Sequence, residues 1–320
     1  MAWLVTGGAG YIGSHVVRAL AAAGLDTVVL DDLSTGRRDF VPTNVSFVRG
    51  SITDAELLAS VFHQHSLDGV IHLAGYKYAG ESVSNPLVTF HQNVTGTVIL
   101  LSAMATAGVN RIVFSSSAAV YGTPTVDRVT EDTVTNPQTP YGETKLIGEW
   151  LMRDMGVATG LRHTSLRYFN VVGSGTDDVV DTSPHNLLPL VFDAVMDGRD
   201  PKIFGDDYPT LDGTCVRDYV HVSDVADAHV SAATVLMNGG PLEPVYNLGG
   251  GTGTSVREIL TAVKTITGIE FEPEVRPRRN GDPARVVADG SRASRDLGWA
   301  QRHSVESMVA SAWSARKARS

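Results

Sequence analysis

Short apolar and β-branched runs alternate with helical patterns through the first half of the chain. Trp3–Thr6, Thr27–Asp31, Ser46–Val48, Gly69–Leu73, Arg111–Ser115 and His163–Arg167 read as strands. Between them, Ile12–Ala23, Ala55–His63, Leu87–Ala107 and Tyr141–Met155 read as helices. Strands alternating with helices of this length join by right-handed crossovers into a parallel sheet with helices on both faces. Residues 1–170 are therefore expected to form an α/β, doubly wound domain.

Beyond about Asn170 the rhythm changes. Residues 173–186 and 204–218 are loops rich in Gly, Ser, Asp and Pro, and helices follow at Ser223–Met237 and Ser255–Thr267. The latter opens with Ser255-Val256-Arg257-Glu258, a capping box that satisfies helix-end N–H groups. Residues 171–320 are expected to build a smaller, loop-rich α/β lobe, with some later segments returning to the first domain. With no linker-like stretch between them, the lobes should share an interface.

Composition narrows the function classes. The 320 residues are 42% apolar and 19% charged, enough to bury a large core. No apolar run approaches the ~18 residues of a membrane span, and the opening Ala2-Trp3-Leu4-Val5-Thr6 leaves no room for a secretory leader. Cys215 is the single cysteine, which excludes an intrachain disulfide and fits a reducing, cytoplasmic setting. A net charge of −9 argues against nucleic acid or anionic membranes as partners. A small anionic ligand needs only a local pocket of arginines and helix N-termini. The ten histidines show no metal-ligand spacing, so no metal is expected. Asp177, Asp178 and Asp181 read as solvated loop acids, and His221 as structural.

Thr6-Gly7-Gly8-Ala9-Gly10-Tyr11-Ile12-Gly13 carries Gly8-x-Gly10-x-x-Gly13 between the first strand and the first helix. Glycines there permit a tight turn and close approach of the backbone to a pyrophosphate, while the helix N-terminus offers N–H donors. Asp31 ends the second strand, 21 residues beyond Gly10, where an acid can hold the adenosine ribose 2′-OH. A carboxylate there repels a 2′-phosphate, so NAD is expected rather than NADP. Together these features mark a Rossmann domain.

Tyr141 and Lys145 lie four residues apart, one turn along one helix face. An ammonium beside a phenol favours the phenolate and lowers the phenol pKa from about 10. Tyrosine then becomes usable as a general base. Ser115-Ser116-Ser117 ends the fifth strand, at the sheet edge where such folds bind ligands. A hydroxyl there can meet both a phenol and a substrate hydroxyl, though each serine could equally cap a local turn.

This set resembles the extended short-chain dehydrogenase/reductases. Phe114-Ser115-Ser116-Ser117-Ala118-Ala119-Val120-Tyr121-Gly122, Ala74–Ser82, Leu166–Asn170, Phe204–Thr210 and Asp212–Tyr219 resemble more narrowly the UDP-glucose (UDP-galactose) 4-epimerase family, over residues 2 to about 300. The resemblance implies that Tyr141 is the base at the sugar 4-OH, aided by Ser117, with Lys145 holding the nicotinamide ribose. It places Gly7, Gly10, Tyr11, Ile12, Gly13 and Asp31 around NAD. Ser51, Lys77, Asn93 and Tyr168 complete that set. On the substrate side it places Asn170, Asn186, Leu187 and Phe204, with Arg217, Arg279 and Asp282 at the diphosphate and ribose. Arg279 lies in the basic run Arg276-Pro277-Arg278-Arg279, and such runs commonly face solvent. A homodimer through the 87–107 and Tyr141 helices is also implied.

Two positions depart from that family's pattern. Gly50-Ser51 stands where Gly-Asp commonly meets adenine. Val286 stands where some members carry a tyrosine beside the sugar 2-substituent, which would leave room for N-acetylated UDP-hexosamines. The nearest rival, a 4,6-dehydratase, needs an acidic pair just after the serine, where this chain has Ala118 and Ala119. A nucleotide-sugar decarboxylase stays open. A non-catalytic NAD sensor would have no use for Ser117, Tyr141 and Lys145 together.

Overall fold

The computed structural model describes residues 2–279 and 281–319. Strands β1 (Ala2–Thr6), β2 (Asp26–Asp31), β3 (Ser46–Arg49), β4 (Leu67–His72), β5 (Arg111–Ser117) and β6 (Arg162–Tyr168) follow one another with intervening helices. After them come β7 (Asn170–Val172), β8 (Lys202–Phe204), β9 (Val216–His221) and β10 (Val245–Leu248). The central sheet has seven strands in the order β10-β6-β5-β4-β1-β2-β3, every neighbouring pair parallel. The chain runs outward from β1 to β3 and then crosses back to β4. The order therefore reverses between β1 and β4, and the crevice outside their carboxyl ends is where such sheets bind ligands.

Strands β1, β2, β4 and β5 carry continuous apolar runs because both faces of the sheet are covered. On one face, helices Tyr11–Ala22 and Val222–Met237 pack through Val16, Val17, Leu20, Val225, Ala228 and Ala232. On the other, Leu58, Leu100, Leu101, Met104 and Met152 cover Leu4, Leu30, Val70 and Ile112. Helix Val222–Met237, β10 and the buried Leu297 and Trp299 all join the first of these cores, although they follow residue 170 in the chain.

The second lobe is built on β9. It pairs in parallel with β7 (Asn170 opposite Tyr219) and antiparallel with β11 (Gly253–Ser255). Strand β12 (Glu274–Arg276) runs parallel to β8, bringing Arg276 opposite Phe204, and β13 (Arg285–Val286) sets Val286 opposite Arg217 on β9. The Ser255 capping box is formed: Glu258 N–H donates to Ser255 Oγ at 3.1 Å, and Ser255 N–H to Glu258 Oε2 at 2.6 Å.

One helix differs from its expectation. The span read as Leu87–Ala107 is Pro86–Phe90, then a π turn at His91–Thr95, then Gly96–Ala107. The wide turn carries Asn93 inward, where it is buried. A single extra residue in one turn leaves the hydrophobic period on either side intact, so the pattern does not reveal it.

Candidate active site

The carboxyl ends of β1, β4, β5 and β6 open on a cleft of about 1010 Å³, walled on its far side by the second lobe. The glycine turn lies where the strand order reverses. Gly7 has φ +73°, and a Cβ there would stand 2.7 Å from the Ala74 backbone nitrogen, just beyond β4. A Cβ on Gly13 would stand 2.1 Å from the Gly7 carbonyl oxygen. Gly10 brings no side chain to cap the Tyr11–Ala22 helix, whose first turn also holds no acid. Its leading N–H groups are thus left for a ligand.

Asp31 braces this turn. Its carboxylate accepts Ala9 N–H at 2.9 Å and Leu33 N–H at 2.8 Å. Burial pushes its pKa up, and these two bonds pull it down. Tyr11, Ile12, Ser51, Lys77 and Tyr168 line the same cleft. Ser51 bonds the Thr53 hydroxyl at 2.9 Å, and the Tyr168 hydroxyl meets His229 Nε2 at 3.1 Å. An open helix N-terminus, a backbone cradle with no space for a Cβ and an acid at the second strand fit a dinucleotide diphosphate and its ribose.

The chemistry-bearing side chains converge at the inner end of the cleft. Thr139 caps helix Pro140–Thr159 through Gly142 N–H at 3.2 Å, with Pro140 in the first turn. Tyr141 N–H donates to Ser82 Oγ at 3.1 Å. Lys145 is buried and donates to the Ser115 carbonyl at 2.8 Å, and burial lowers its pKa to about 8. Tyr141 corrects an expectation, because its pKa is raised. Burial of the phenol dominates, Ser117 pulls the other way, and the ammonium is directed to the β5 backbone. Ser117 Oγ also accepts Ala119 N–H at 3.1 Å, so the serine both caps a turn and faces the phenol.

The opposite wall holds Asn170, Asn186, Leu187, Phe204, Arg217 and Asp282, together with Arg279. Arg279 is directed to the cleft wall: its guanidinium lies 3.9 Å over the Phe204 ring. Arg217 faces Asp282 at 3.7 Å. Across the mouth His185 pairs with Glu81 at 2.7 Å, and its ring meets Tyr78 edge-on at 4.8 Å.

Two expected site residues stand elsewhere. Asn93 does not line the cleft; its amide accepts Tyr76 N–H at 2.6 Å and donates to Tyr76 O and Thr144 Oγ1. It thereby ties the loop that carries Lys77 to the Tyr141 helix. Val286 is buried, and the cleft near its partner Arg217 is lined by Cys215 and Tyr219 instead. A third residue departs from its solvated expectation: Asp181 is partly buried, with Asn186 and Ser183 bonded to its carboxylate. His221 caps helix Val222–Met237 by accepting Ser223 N–H at 3.0 Å. Glu149, one turn beyond Lys145, forms a buried pair with Arg167 that sequence reasoning missed; its spacing of four from Lys145 was the available signal.

Comparison with known proteins agrees with this geometry. The chain is 45% identical over 317 residues to the UDP-glucose 4-epimerase of Azospirillum brasilense, covering 97% of this chain and 90% of that one. The solved UDP-glucose 4-epimerase of Stenotrophomonas maltophila, with bound NAD and formylated UDP-arabinopyranose, superposes with TM-score 0.95 at 40% identity, covering 100% of this chain and 98% of that one. That of Bifidobacterium longum, in complex with NAD+ and UDP, superposes with TM-score 0.91 at 36% identity over 99% and 98%. The family model for the NAD dependent epimerase/dehydratase family matches residues 3–249. With its glycine turn, serine, tyrosine and lysine disposed around one cleft, this chain belongs to that family.

Proposed function

We propose that this protein interconverts UDP-glucose and UDP-galactose by inverting C4 of the hexose, with NAD as a recycled cofactor. One observation carries the reading. Ser117, Tyr141 and Lys145 meet at the junction of a dinucleotide cradle and a wall that offers Arg217, Arg279 and the Phe204 ring.

Bound NAD supplies the acceptor and later the donor of the C4 hydride, so the sugar passes through a 4-keto state with no net redox change. Tyr141 takes the 4-OH proton as base and returns it as acid, with Ser117 aligning the transfer. Lys145, held by the Ser115 carbonyl, keeps a positive charge near the phenol. Gly7, Gly10 and Gly13 let the backbone close on the cofactor diphosphate. Arg217 and Arg279 hold the diphosphate of the substrate, and Phe204 packs near its uracil. Anchoring through the nucleotide leaves the hexose free to present either face, so binding energy belongs on UDP rather than on the sugar.

The absence of acids at Ala118 and Ala119 favours this reading over dehydration, which needs an acid–base pair for C5 and C6. The valine at position 286, in place of a tyrosine, leaves UDP-GlcNAc and UDP-GalNAc as candidate further substrates beside the hexoses. Exposed Leu87, Val98, Trp150 and Val157, on helices Pro86–Phe90, Gly96–Ala107 and Pro140–Thr159, support a homodimer joined through these helices. A lone thiol supports a cytoplasmic setting.

Incubation with UDP-galactose, with UDP-GalNAc in parallel, tests the reading. The expected result is an equilibrium mixture of C4 epimers from UDP-galactose, with no keto product and no accumulation of NADH. An accumulating 4-keto-6-deoxy sugar, or no epimer at all, would overturn it.

A further inference from the structure

The loop that delivers Asn186 to the cleft is organised around one partly buried carboxylate. Asp181 Oδ1 accepts Ser183 N–H at 3.0 Å, and Oδ2 accepts the side-chain N–H of Asn186 at 2.7 Å. The surroundings keep that group in place. Tyr11 anchors the start of the same loop by donating to the Gly173 carbonyl at 2.5 Å. Burial raises the pKa of the carboxylate, while the bonds from Asn186 and Ser183 and the charge of Lys77, in the first domain, act the other way and favour its ionised, accepting form.

A carboxylate accepts hydrogen bonds and cannot donate them, whereas a carboxamide has a donating end and an accepting end. Asp181 therefore dictates which end of Asn186 turns back into the loop. The NH2 must face Asp181, which leaves the amide oxygen and the second N–H for the cleft that Asn186 lines. We propose that Asp181 is the positioning residue that fixes the Asn186 amide in a single orientation, so that the nucleotide sugar always meets the same acceptor and donor. The inference rests on the UDP-sugar reading above. Asp181 does not itself line the cleft. Its effect belongs in ligand affinity and not in the C4 chemistry.

A double-mutant cycle on the NAD-loaded enzyme tests this, with UDP as the titrated probe and steady-state kinetics on UDP-galactose alongside. Asp181→Asn keeps the shape of the side chain but offers both a donor and an acceptor, so either orientation of Asn186 is satisfied. UDP Kd and the substrate KM are expected to rise about tenfold, the scale of one charge-assisted hydrogen bond, while kcat stays within about twofold. Asn186→Ala is expected to weaken UDP at least as much, and the Asp181→Asn/Asn186→Ala double variant no more than Asn186→Ala alone. NAD retention should match the parent in all three. Multiplying losses in the double variant, unchanged UDP affinity in Asp181→Asn, or a fall in kcat with KM unmoved would each overturn the proposal. Should Asp181→Asn melt early or fail to fold, Asp181→Ser carries the same cycle with the same outcomes. Failure of the unmutated protein to bind UDP would overturn the functional reading itself, and it is distinguishable because it needs no variant.

Discussion

Lys145 donates to the main-chain carbonyl of Ser115 at 2.8 Å, while the ring centroid of Tyr141 lies 5.8 Å from the same nitrogen. The lysine therefore acts on the phenol through its charge rather than through a direct bond. Burial lowers Lys145 to about 8 and raises Tyr141. A lysine is charged below its pKa and neutral above it. As pH climbs through about 8, the phenol loses the adjacent cation that favours its ionised form. We expect kcat/KM to fall above about pH 8. Lys145→Arg stays charged throughout that range, so its profile should lack the alkaline fall even though its absolute rate is lower. An identical alkaline limb in that variant would assign the fall to another group.

Tyr141→Phe removes the transferable proton and leaves the ring packing in place. General acid–base catalysis is worth about 10²–10⁴ in rate, and kcat should drop by that factor. UDP affinity and NAD retention should be unaffected, because the anchors for both lie elsewhere in the cleft. Equilibrium titrations beside the rate measurement check the split.

Gly13→Ala places a methyl group 2.1 Å from the Gly7 carbonyl oxygen. Backbone cannot move aside as a flexible side chain would, so the turn itself must shift. Overpacking of this kind costs about 1–3 kcal/mol. The cradle for the cofactor diphosphate should open at the same time, and both the Tm and the fraction of protein purified with NAD should fall. Retention of both would show that the turn has slack not visible in its geometry.

These two sets of residues were legible in the chain for the same reason. The glycine turn and the Tyr141–Lys145 spacing are short-range properties of one strand end and one helix. Asp181 was not legible. It shares its loop with Asp177 and Asp178, which are exposed, and only the packing of Tyr11, Lys77 and Asn186 around it distinguishes it from them. Asn93 and Val286 were placed by resemblance, and a family position does not report the local turn. A π turn carries Asn93 into the Tyr76 backbone. Val286 is packed into the β9 sheet.

Arg279 stands apart from its basic neighbours in a way that kinetics can read. Arg278 is engaged with Asp207 at 2.6 Å and lies over Tyr208, and Arg276 is paired with Glu274 at 2.5 Å, while the Arg279 guanidinium lies over Phe204 in the cleft wall. A lysine at this position keeps the charge but loses the planar stack and the paired donors that suit a phosphate. Cation–π contact accounts for about 0.5–2 kcal/mol. Arg279→Lys should raise Kd for UDP and KM for the nucleotide sugar with kcat nearly unchanged, whereas Arg278→Lys should change neither.

The buried pair beneath the site permits a different kind of test. Arg167 reaches Glu149 through Nε at 2.8 Å and Nη2 at 2.6 Å, and Ser116, beside Ser117, donates to the same carboxylate at 2.5 Å. Arg167 also donates to the Tyr121 hydroxyl at 2.8 Å, which donates in turn to Asn247. The network thus stitches the Tyr141 helix to β5, β6 and β10. Burial alone would weaken the hold of Arg167 on its proton; the Glu149 carboxylate reverses that and raises its pKa. Glu149→Gln leaves the guanidinium charged with no counter-charge, and breaking a buried pair in this way costs about 3–5 kcal/mol. Replacing both partners with apolar residues removes the orphaned charge, so Glu149→Leu/Arg167→Met should be more stable than Glu149→Gln despite losing more hydrogen bonds. Thermal melts of the NAD-loaded proteins give the ranking. If the double variant is the less stable of the two, the pair stabilises the fold by its own attraction, and the cost of Glu149→Gln is not that of a stranded charge.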